Sequence, residues 1–445
     1  MKLVVVCGAF FFAIGIAAQE KKWTLVECVT YAIDNNLSIE QYELDFENIL
    51  LEKSDAIGNM LPSLNGSMNV SRNTGLVIEP TTNNYVSGTI LSASGNISSS
   101  VTLFDGLRNI NTLNRAKLNA LAGQYRLDDL KDDIRLFVAN TYLQVLSNKE
   151  SLKVAKAQYK IYIQDQKKTK ELVESGVVPK GDLLEIEATV ANQEFEIVNR
   201  ENAVLIARIN LAQLLQITDY VNFDIADEEF QVPPSDILSN SPKVIFDKAL
   251  TFRNDIKYSQ SGVAIARKDL EIAKGALYPS ISAFVNYNTR YSDQNYDRVT
   301  GQLIGFKDQL WSNDGISYGA QLSIPVFNGF RVKNNVKRSK IGVKKAELQF
   351  EQDKLDLETS INQAYVDVKG AGKSYEAAQK ALQARVGAFE YSKERFNVGL
   401  MNAFDYSQVQ SRVDNAEAEV IRKKYDYIFK LKVLEFYFGL PLTMN

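Results

Sequence analysis

Histidine is absent from the whole chain of 445 residues. Histidine is the usual general base and a common metal ligand, so its absence excludes Ser/His and Cys/His nucleophile pairs. There are two cysteines, Cys7 and Cys28, which is too few for a zinc cluster or a disulfide framework. No nucleotide-binding loop or paired-carboxylate site stands out. We therefore expect no enzyme, no cofactor and no metal.

Long hydrophobic runs are also scarce. Leu3 to Ile16 is apolar, follows Lys2 and precedes the small residues Ala17 and Ala18. This pattern predicts a cleaved secretory signal peptide over residues 1–18, too short to be a transmembrane helix. After it, no run of about 18 apolar residues occurs, so a mature chain that crosses a membrane must use strands. The formal net charge of −3 does not suggest a nucleic-acid partner.

The chain contains an internal duplication. Phe104-Asp-Gly-Leu-Arg108 recurs as Phe327-Asn-Gly-Phe-Arg331, an offset of 223 residues, and the same offset relates Gly176 to Gly399 and Asp182 to Asp405. Earlier in each half the offset is 217, as in Leu61-Pro-Ser63 and Tyr278-Pro-Ser280. We expect two structural repeats, 19–217 and 243–440, joined by an equatorial linker at 218–242 and followed by a tail at 441–445.

Each repeat shows the same succession of hydrophobic periods. Proline-free segments with helical spacing flank segments in which apolar and polar residues alternate. The predicted helices are 25–60, 107–174, 182–215, 243–277, 330–397 and 405–438. The predicted strands are 64–72, 95–104, 281–291 and 316–327, with polar loops at 73–90 and 292–315. In the long helices, Val138, Tyr142 and Val145 have the spacing of a coiled-coil seam. The sequence thus predicts an α+β protein.

The four predicted strands each carry one apolar and one polar row. Four strands are too few to close a membrane barrel, for which about eight is the minimum. Either they cover a soluble core, or several chains pool their strands in a membrane. The polar rows, rich in Ser, Asn, Thr and Gln, suit a water-filled lumen. Phe104 and Phe327 end their strands at equivalent positions, as interfacial aromatic residues of a barrel would.

Taken together, the signal peptide, the duplication, the Leu-Pro-Ser and Tyr-Pro-Ser strand starts, the Phe-(Asp/Asn)-Gly-X-Arg strand exits and the Gly-X5-Asp turns resemble TolC-type outer-membrane efflux proteins. The resemblance covers nearly all of the mature chain. It implies a homotrimer whose strands form one 12-stranded barrel in the outer membrane of a Gram-negative bacterium. The long helices would continue as a coiled-coil tunnel in the periplasm. Such a duct exports small molecules or proteins. It is connected to an inner-membrane pump through a periplasmic adaptor protein.

The resemblance also implies roles for residues of the Gly-X5-Asp turns. Asp405 would belong to an acidic ring that narrows the periplasmic aperture, but the second acid of the family pattern is Gln408 here. Asp182 and Glu185 occupy the equivalent positions of the first repeat. The exposed tips for adaptor docking would be Gly176, Val177, Gly399 and Leu400. A second interpretation is that Asp182-X-X-Glu185 and Asp405-X-X-Gln408 are capping boxes at helix starts.

An alternative function stays open at this point, namely a secreted or periplasmic coiled-coil scaffold or adhesin without a pore. Its strands would form a small cap domain, and it would stay soluble without detergent. If the chain is an export duct, the pump sets the substrate, so drug or metal efflux and type I protein secretion look alike in this sequence.

Overall fold

The computed structural model describes residues 22–79, 82–227, 230–233 and 235–441. The predicted signal peptide lies outside these residues, as do all but the first residue of the predicted tail. The chain divides into two compact units. One contains most of the helices and comprises residues up to 41, 128–253 and 355 onward; the other contains the main sheet and comprises 42–127 and 254–354.

The elements alternate along the chain in the order helix pair, strand pair, long helix, return helix, twice. The helices are α1 (Leu25–Asn35), α2 (Leu37–Gly58), α3 (Arg108–Glu174), α4 (Lys180–Leu214), α5 (Pro242–Phe252), α6 (Asn254–Gly275), α7 (Phe306–Ser312), α8 (Arg331–Asn397) and α9 (Ala403–Tyr437). The strands are β1 (Lys22–Trp23), β2 (Ser63–Ile78), β3 (Tyr85–Phe104), β4 (Asp224–Ile225), β5 (Ser280–Ser292) and β6 (Gly315–Ser323). Among the described residues, no helix combines the length and apolar character needed to cross a membrane.

The first helix of each repeat is interrupted where the sequence predicted one continuous helix. Asn36 and Arg253, which are related by the 217-residue offset, both have extended backbones with ψ of 122° and 135°. Asn36 accepts a hydrogen bond from the amide of Ser38 at 2.9 Å, which caps the start of α2. The break therefore recurs at equivalent positions, although the two residues differ.

The β2–β3 hairpin is longer than the strands predicted for it. Most of the segment predicted as a polar loop at 73–90 is paired strand, with Thr74 opposite Thr89 and Ile78 opposite Tyr85. The two threonine hydroxyls lie 3.1 Å apart, a cross-strand pair that replaces apolar packing. At the other side of the sheet, β6 ends at Ser323 rather than at 327. Pro325 has no amide hydrogen to donate to a neighbouring strand.

The long helices begin and end in matched turns. Asp105 accepts from the amide of Asn109 at 3.0 Å, and its counterpart Asn328 accepts from the amide of Val332 at 3.4 Å. At the far ends, Gly176 and Gly399 adopt left-handed φ values of 72° and 76°. These glycines end α3 and α8 because a residue with a Cβ pays a steric penalty in that conformation.

Candidate functional sites: a two-faced sheet and the helical turns

The main sheet has the order β2-β3-β5-β6, with every neighbouring pair antiparallel. The pair β3–β5 joins the first repeat to the second. Residues directly opposite one another in an antiparallel pair project from the same face of the sheet. The register therefore decides whether the apolar residues of the four strands lie opposite one another and so form one common face.

The alternating rows of the four strands do align across the sheet, and one of the two resulting faces is apolar. Ile97 lies opposite Tyr287, and Tyr287 lies opposite Ile316. We call this surface the apolar face; its members include Leu64, Met68, Val70, Ile97, Val101, Ala283, Val285, Tyr287, Ile316, Tyr318 and Leu322. Most of these side chains are exposed in the single chain; Leu64, for example, is 76% and Tyr318 81% exposed. An apolar surface of this extent marks a contact with lipid or with another protein.

The opposite surface, which we call the polar face, consists mainly of hydroxyl and amide side chains. Its members include Asn65, Ser67, Asn69, Ser71, Ser94, Asn96, Ser98, Ser100, Ser282, Asn286, Asn288, Ser317 and Gln321. The hydroxyls of Ser71 and Ser92 lie 3.0 Å apart across the β2–β3 pair. Such a surface can face water, while the apolar face cannot do so without cost.

The two predicted interfacial aromatic residues are placed differently. A β-bulge between Thr102 and Phe104 sets Phe104 opposite Ile281, a residue of the apolar face. Phe327 lies beyond the end of β6, is 76% exposed, and makes an edge contact with the ring of Phe330 at 5.7 Å. Phe104 is thus part of the sheet surface, and Phe327 is part of the turn into α8.

The predicted aperture residues lie in the first turns of the return helices, but neither aspartate caps its helix. The cap of α9 is Asn402, whose side chain accepts from the amide of Asp405 at 2.8 Å and donates to its carboxylate at 3.0 Å. Asp405 is therefore the third helical residue, and it is exposed. Gln408 accepts from Arg412 at 3.1 Å, so the capping-box interpretation of this pair was wrong.

In the first repeat, too, the aspartate does not cap the return helix, and the residue at the cap position is Pro179. Helix α4 begins after Pro179, whose side chain offers no acceptor, and Asp182 is again the third helical residue. The Oγ1 of Thr189 donates to the Glu185 carbonyl within the helix, a bond that does not involve the Glu185 carboxylate. An acid in a first helical turn is favoured by the helix dipole, which explains both aspartates without a pore. Their role at an aperture stays a prediction.

The predicted tips expose apolar side chains next to the left-handed glycines. The amide of Val177 donates to the Leu172 carbonyl at 2.9 Å, and the amide of Leu400 donates to the Arg395 carbonyl at 2.8 Å, which closes each turn. Val177 is 63% and Leu400 70% exposed. A rigid turn that displays an aliphatic side chain is suited to contact another protein.

An aromatic cluster lies behind both turns. Phe396 stacks on Tyr406 with ring centroids 4.5 Å apart, and Tyr162, Ile186, Val190 and Ala403 complete the buried set. Each of α3, α4, α8 and α9 contributes at least one residue to it. The two turns are therefore built on one shared core.

Next to this cluster, α3 and α9 exchange two tyrosine–aspartate hydrogen bonds, a feature that the sequence analysis missed. The hydroxyl of Tyr162 donates to Asp414 at 2.6 Å, and that of Tyr406 donates to Asp165 at 3.0 Å. Burial raises the pKa of Asp414 to about 6 and raises the pKa of Asp165 as well. Further along the same two helices, Glu150 accepts from Lys424 at 2.8 Å. Contacts between α3 and α9 thus include several hydrogen-bonded polar pairs.

The comparisons with known proteins agree with this architecture. Residues 32–215 and 245–439 match the family described as outer membrane efflux protein, and the chain belongs to that family. It is therefore an outer-membrane efflux channel of the kind that works in a tripartite system, with its helical part in the periplasm. Family and fold are those of channel proteins. The predicted TolC-like fold and efflux function are confirmed.

Among curated relatives, the toxin and drug export protein A of Aggregatibacter actinomycetemcomitans is 22% identical over 90% of this chain and 82% of its own length. The outer membrane efflux protein BepC of Brucella suis is 20% identical over 91% and 83%. Among solved structures, the Campylobacter jejuni CmeC outer membrane channel is similar with a TM-score of 0.79 and 18% identity, over 93% of this chain and 85% of that one.

Proposed function

We propose that three copies of the chain form one passive export duct. Each copy contributes its four-stranded sheet to a shared 12-stranded barrel, with the apolar face toward lipid and the polar face toward a water-filled lumen. The observation that carries the proposal is the register, which aligns the apolar rows of all four strands on one face. Four strands cannot close alone, since about eight is the smallest barrel number.

The periplasmic aperture of this duct is formed by the helical turns. Asp405 supplies an acidic ring at the narrowest point, Gln408 takes the place of a second acid, and Asp182 and Glu185 add charge from the first repeat. The exposure of Asp405 and its position in a first helical turn support this role. A ring of exposed carboxylates in a constriction attracts cations.

The chain works with partners that supply recognition and energy. A periplasmic adaptor protein contacts the tips at Gly176, Val177, Gly399 and Leu400, and an inner-membrane pump drives transport through it. The chain itself performs no catalysis. The exposed Val177 and Leu400 beside rigid turns support adaptor docking.

Two measurements on the purified mature protein test the proposal. One is its mass in detergent, and the other is its single-channel conductance after reconstitution in planar bilayers. We expect a trimer with cation-preferring single channels. Asp405→Asn should weaken the cation preference, while Glu196→Gln is the control, because it removes an exposed acid of α4 that lies outside the helical turns. A monomer that stays soluble without detergent and never conducts would overturn the duct. Channels indifferent to Asp405→Asn would refute the aperture assignment alone.

A further inference from the structure

The segment between β5 and β6 is anchored to the sheet through one buried glutamine. Gln309 has no exposed surface; its Nε2 donates to the carbonyls of Ser292 and Ile304, each at 2.8 Å, and its Oε1 accepts from the amide of Ser292 at 2.9 Å. Strand β6 begins at Gly315, opposite Asn288, and so does not reach Ser292. The Gln309 side chain satisfies the strand edge that β6 leaves open, and this fixes helix α7 there.

Helix α7 contacts the apolar side of β5. The hydroxyl of Thr289 donates to the carbonyl of Leu310 at 2.7 Å, and the ring of Phe306 meets that of Tyr291 edge-on at 5.1 Å. Thr289 and Tyr291 continue the row of Val285 and Tyr287, so they project from the apolar face. The helix therefore lies against the end of that face rather than against the polar face.

The level of this contact on the sheet coincides with an interruption of the apolar row. Tyr291 lies opposite Ala93, which lies opposite Val70. The next residues on the same face of β2 are the charged Arg72, opposite Leu91, and Thr74, opposite Thr89, and apolar side chains return on β2 only at Leu76 and Ile78. From Phe104 to Ala93 the strand rises about 36 Å at about 3.3 Å per residue. With a tilt of about 40° this is a height of about 28 Å, close to the apolar band of roughly 25 Å of an outer-membrane barrel.

The side chains that α7 displays are those found at lipid–water interfaces. Trp311 is 78% exposed and Phe306 47% exposed. Tryptophan is enriched at the headgroup level because its ring is apolar and its N–H needs a polar partner. With Arg72 at the same level of the face, the rim has the aromatic and basic composition of a membrane boundary.

We propose that α7 is an interfacial anchor that inserts Trp311 into the headgroup region of the outer leaflet. This rests on the proposed function, because it requires the apolar face to contact lipid. The continuity of α7 with the apolar face, through Thr289 and Tyr291, is what selects lipid as its partner. The anchor holds the outer rim of the sheet at a fixed depth.

Tryptophan fluorescence tests the anchor directly, since the chain has two tryptophans, Trp23 and Trp311. The Trp23→Phe variant leaves Trp311 as the sole reporter in phospholipid vesicles. Lipids brominated near the headgroup should quench it more strongly than lipids brominated near the chain end. If Trp23→Phe folds poorly, the difference in quenching between wild type and Trp311→Phe gives the quenching of Trp311 by each brominated lipid.

Two control variants in a background that lacks both tryptophans calibrate the depth. Tyr318→Trp, in the middle of the apolar face, should respond most to deep bromine, and Val299→Trp, at a position 94% exposed in the same loop, should respond to aqueous acrylamide alone. Trp311 behaving like Val299→Trp overturns the anchor. Trp311 shielded from both lipid and acrylamide also overturns it and indicates contact with a neighbouring chain. Failure of Tyr318→Trp to respond to any brominated lipid would instead refute the proposed function.

Discussion

The hydroxyl of Tyr162 on α3 donates to the carboxylate of Asp414 on α9 across 2.6 Å, between residues that are 252 positions apart. Tyr162 is fully buried, and Asp414 is partly buried beside Glu417, whose charge also raises the Asp414 pKa. Gln193 on α4 approaches the same carboxylate oxygen at 3.5 Å. This bond therefore ties the two repeats together at a point where the carboxylate has lost much of its hydration.

Removing the Tyr162 hydroxyl should destabilise the helical unit. Tyr162→Phe leaves the Asp414 carboxylate without its short donor, at a cost of about 1–3 kcal/mol for a buried polar group that loses its partner. Thermal unfolding in detergent, followed by the helical circular dichroism signal, measures the effect. Tyr159→Phe is the matched control on the same helix, because its hydroxyl bonds to Glu194 in an exposed setting. Equal shifts in the two variants would contradict the prediction.

The stability of the helical unit should fall as pH rises through Asp414. The folded pKa of about 6 lies above the ordinary value of 3.8, so the folded state favours the protonated acid. The contribution of this pKa difference to the free energy of unfolding is fully present below pH 3.8 and is lost as the pH approaches and passes 6. A shift of this size corresponds to about 3 kcal/mol.

Asp414→Asn isolates this effect from the other carboxylates, because the amide oxygen still accepts from Tyr162. We expect the variant to melt at a higher temperature than wild type at pH 7.5. The difference should shrink as the pH falls toward 4, because the wild-type acid is then protonated. A difference that does not depend on pH would show that Asp414 does not titrate in this range.

Two glycines of the second repeat should respond to alanine in opposite directions. Gly399 has a φ of 76°, and none of the residues that the structure describes places an atom within 4 Å of an added Cβ, so Gly399→Ala should cost about 1–2 kcal/mol through backbone strain alone. Gly387 lies inside α8, also with open space around it, and Gly387→Ala should stabilise the helix by about 0.5–1 kcal/mol. Melting temperatures of the two variants test this, and shifts of the same sign would refute it.

Charged substitutions at the tips should separate docking from conduction. Val177→Asp and Leu400→Asp place a carboxylate on surfaces that are exposed in the chain, so folding should not change, and single-channel conductance in bilayers measures any effect on the aperture separately. Export of a toxic dye by cells that depend on this channel should fall severalfold, because an apolar docking contact is replaced by a charge. Ile206→Asp, at a position 59% exposed and near the opposite end of α4 from the turn, is the control. Export equal to wild type in both tip variants would contradict adaptor docking there.

The sequence predicted the features that depend on local pattern. The alternation of Ile316, Tyr318 and Leu322 was enough to assign a strand and its faces, and the 223-residue offset matched the turns at Gly176 and Gly399. Local pattern could not decide between Asn402 and Asp405 as the helix cap, because both side chains can accept from a backbone amide. The pairs Tyr162–Asp414 and Tyr406–Asp165 depend on how α3 and α9 pack. The spacing of Tyr162 and Asp165, three residues apart on one helical face, was the available signal.

The order β2-β3-β5-β6 leaves two outer strands that come from different repeats and have different sequences. Pairing between copies through these edges is head-to-tail, since β2 of one copy would meet β6 of the next. An interface of this type never saturates in a pair: it either closes into a ring or extends as an open filament. Which of the two forms depends on the curvature of the sheet, because a ring closes only when β6 of the last copy returns to β2 of the first.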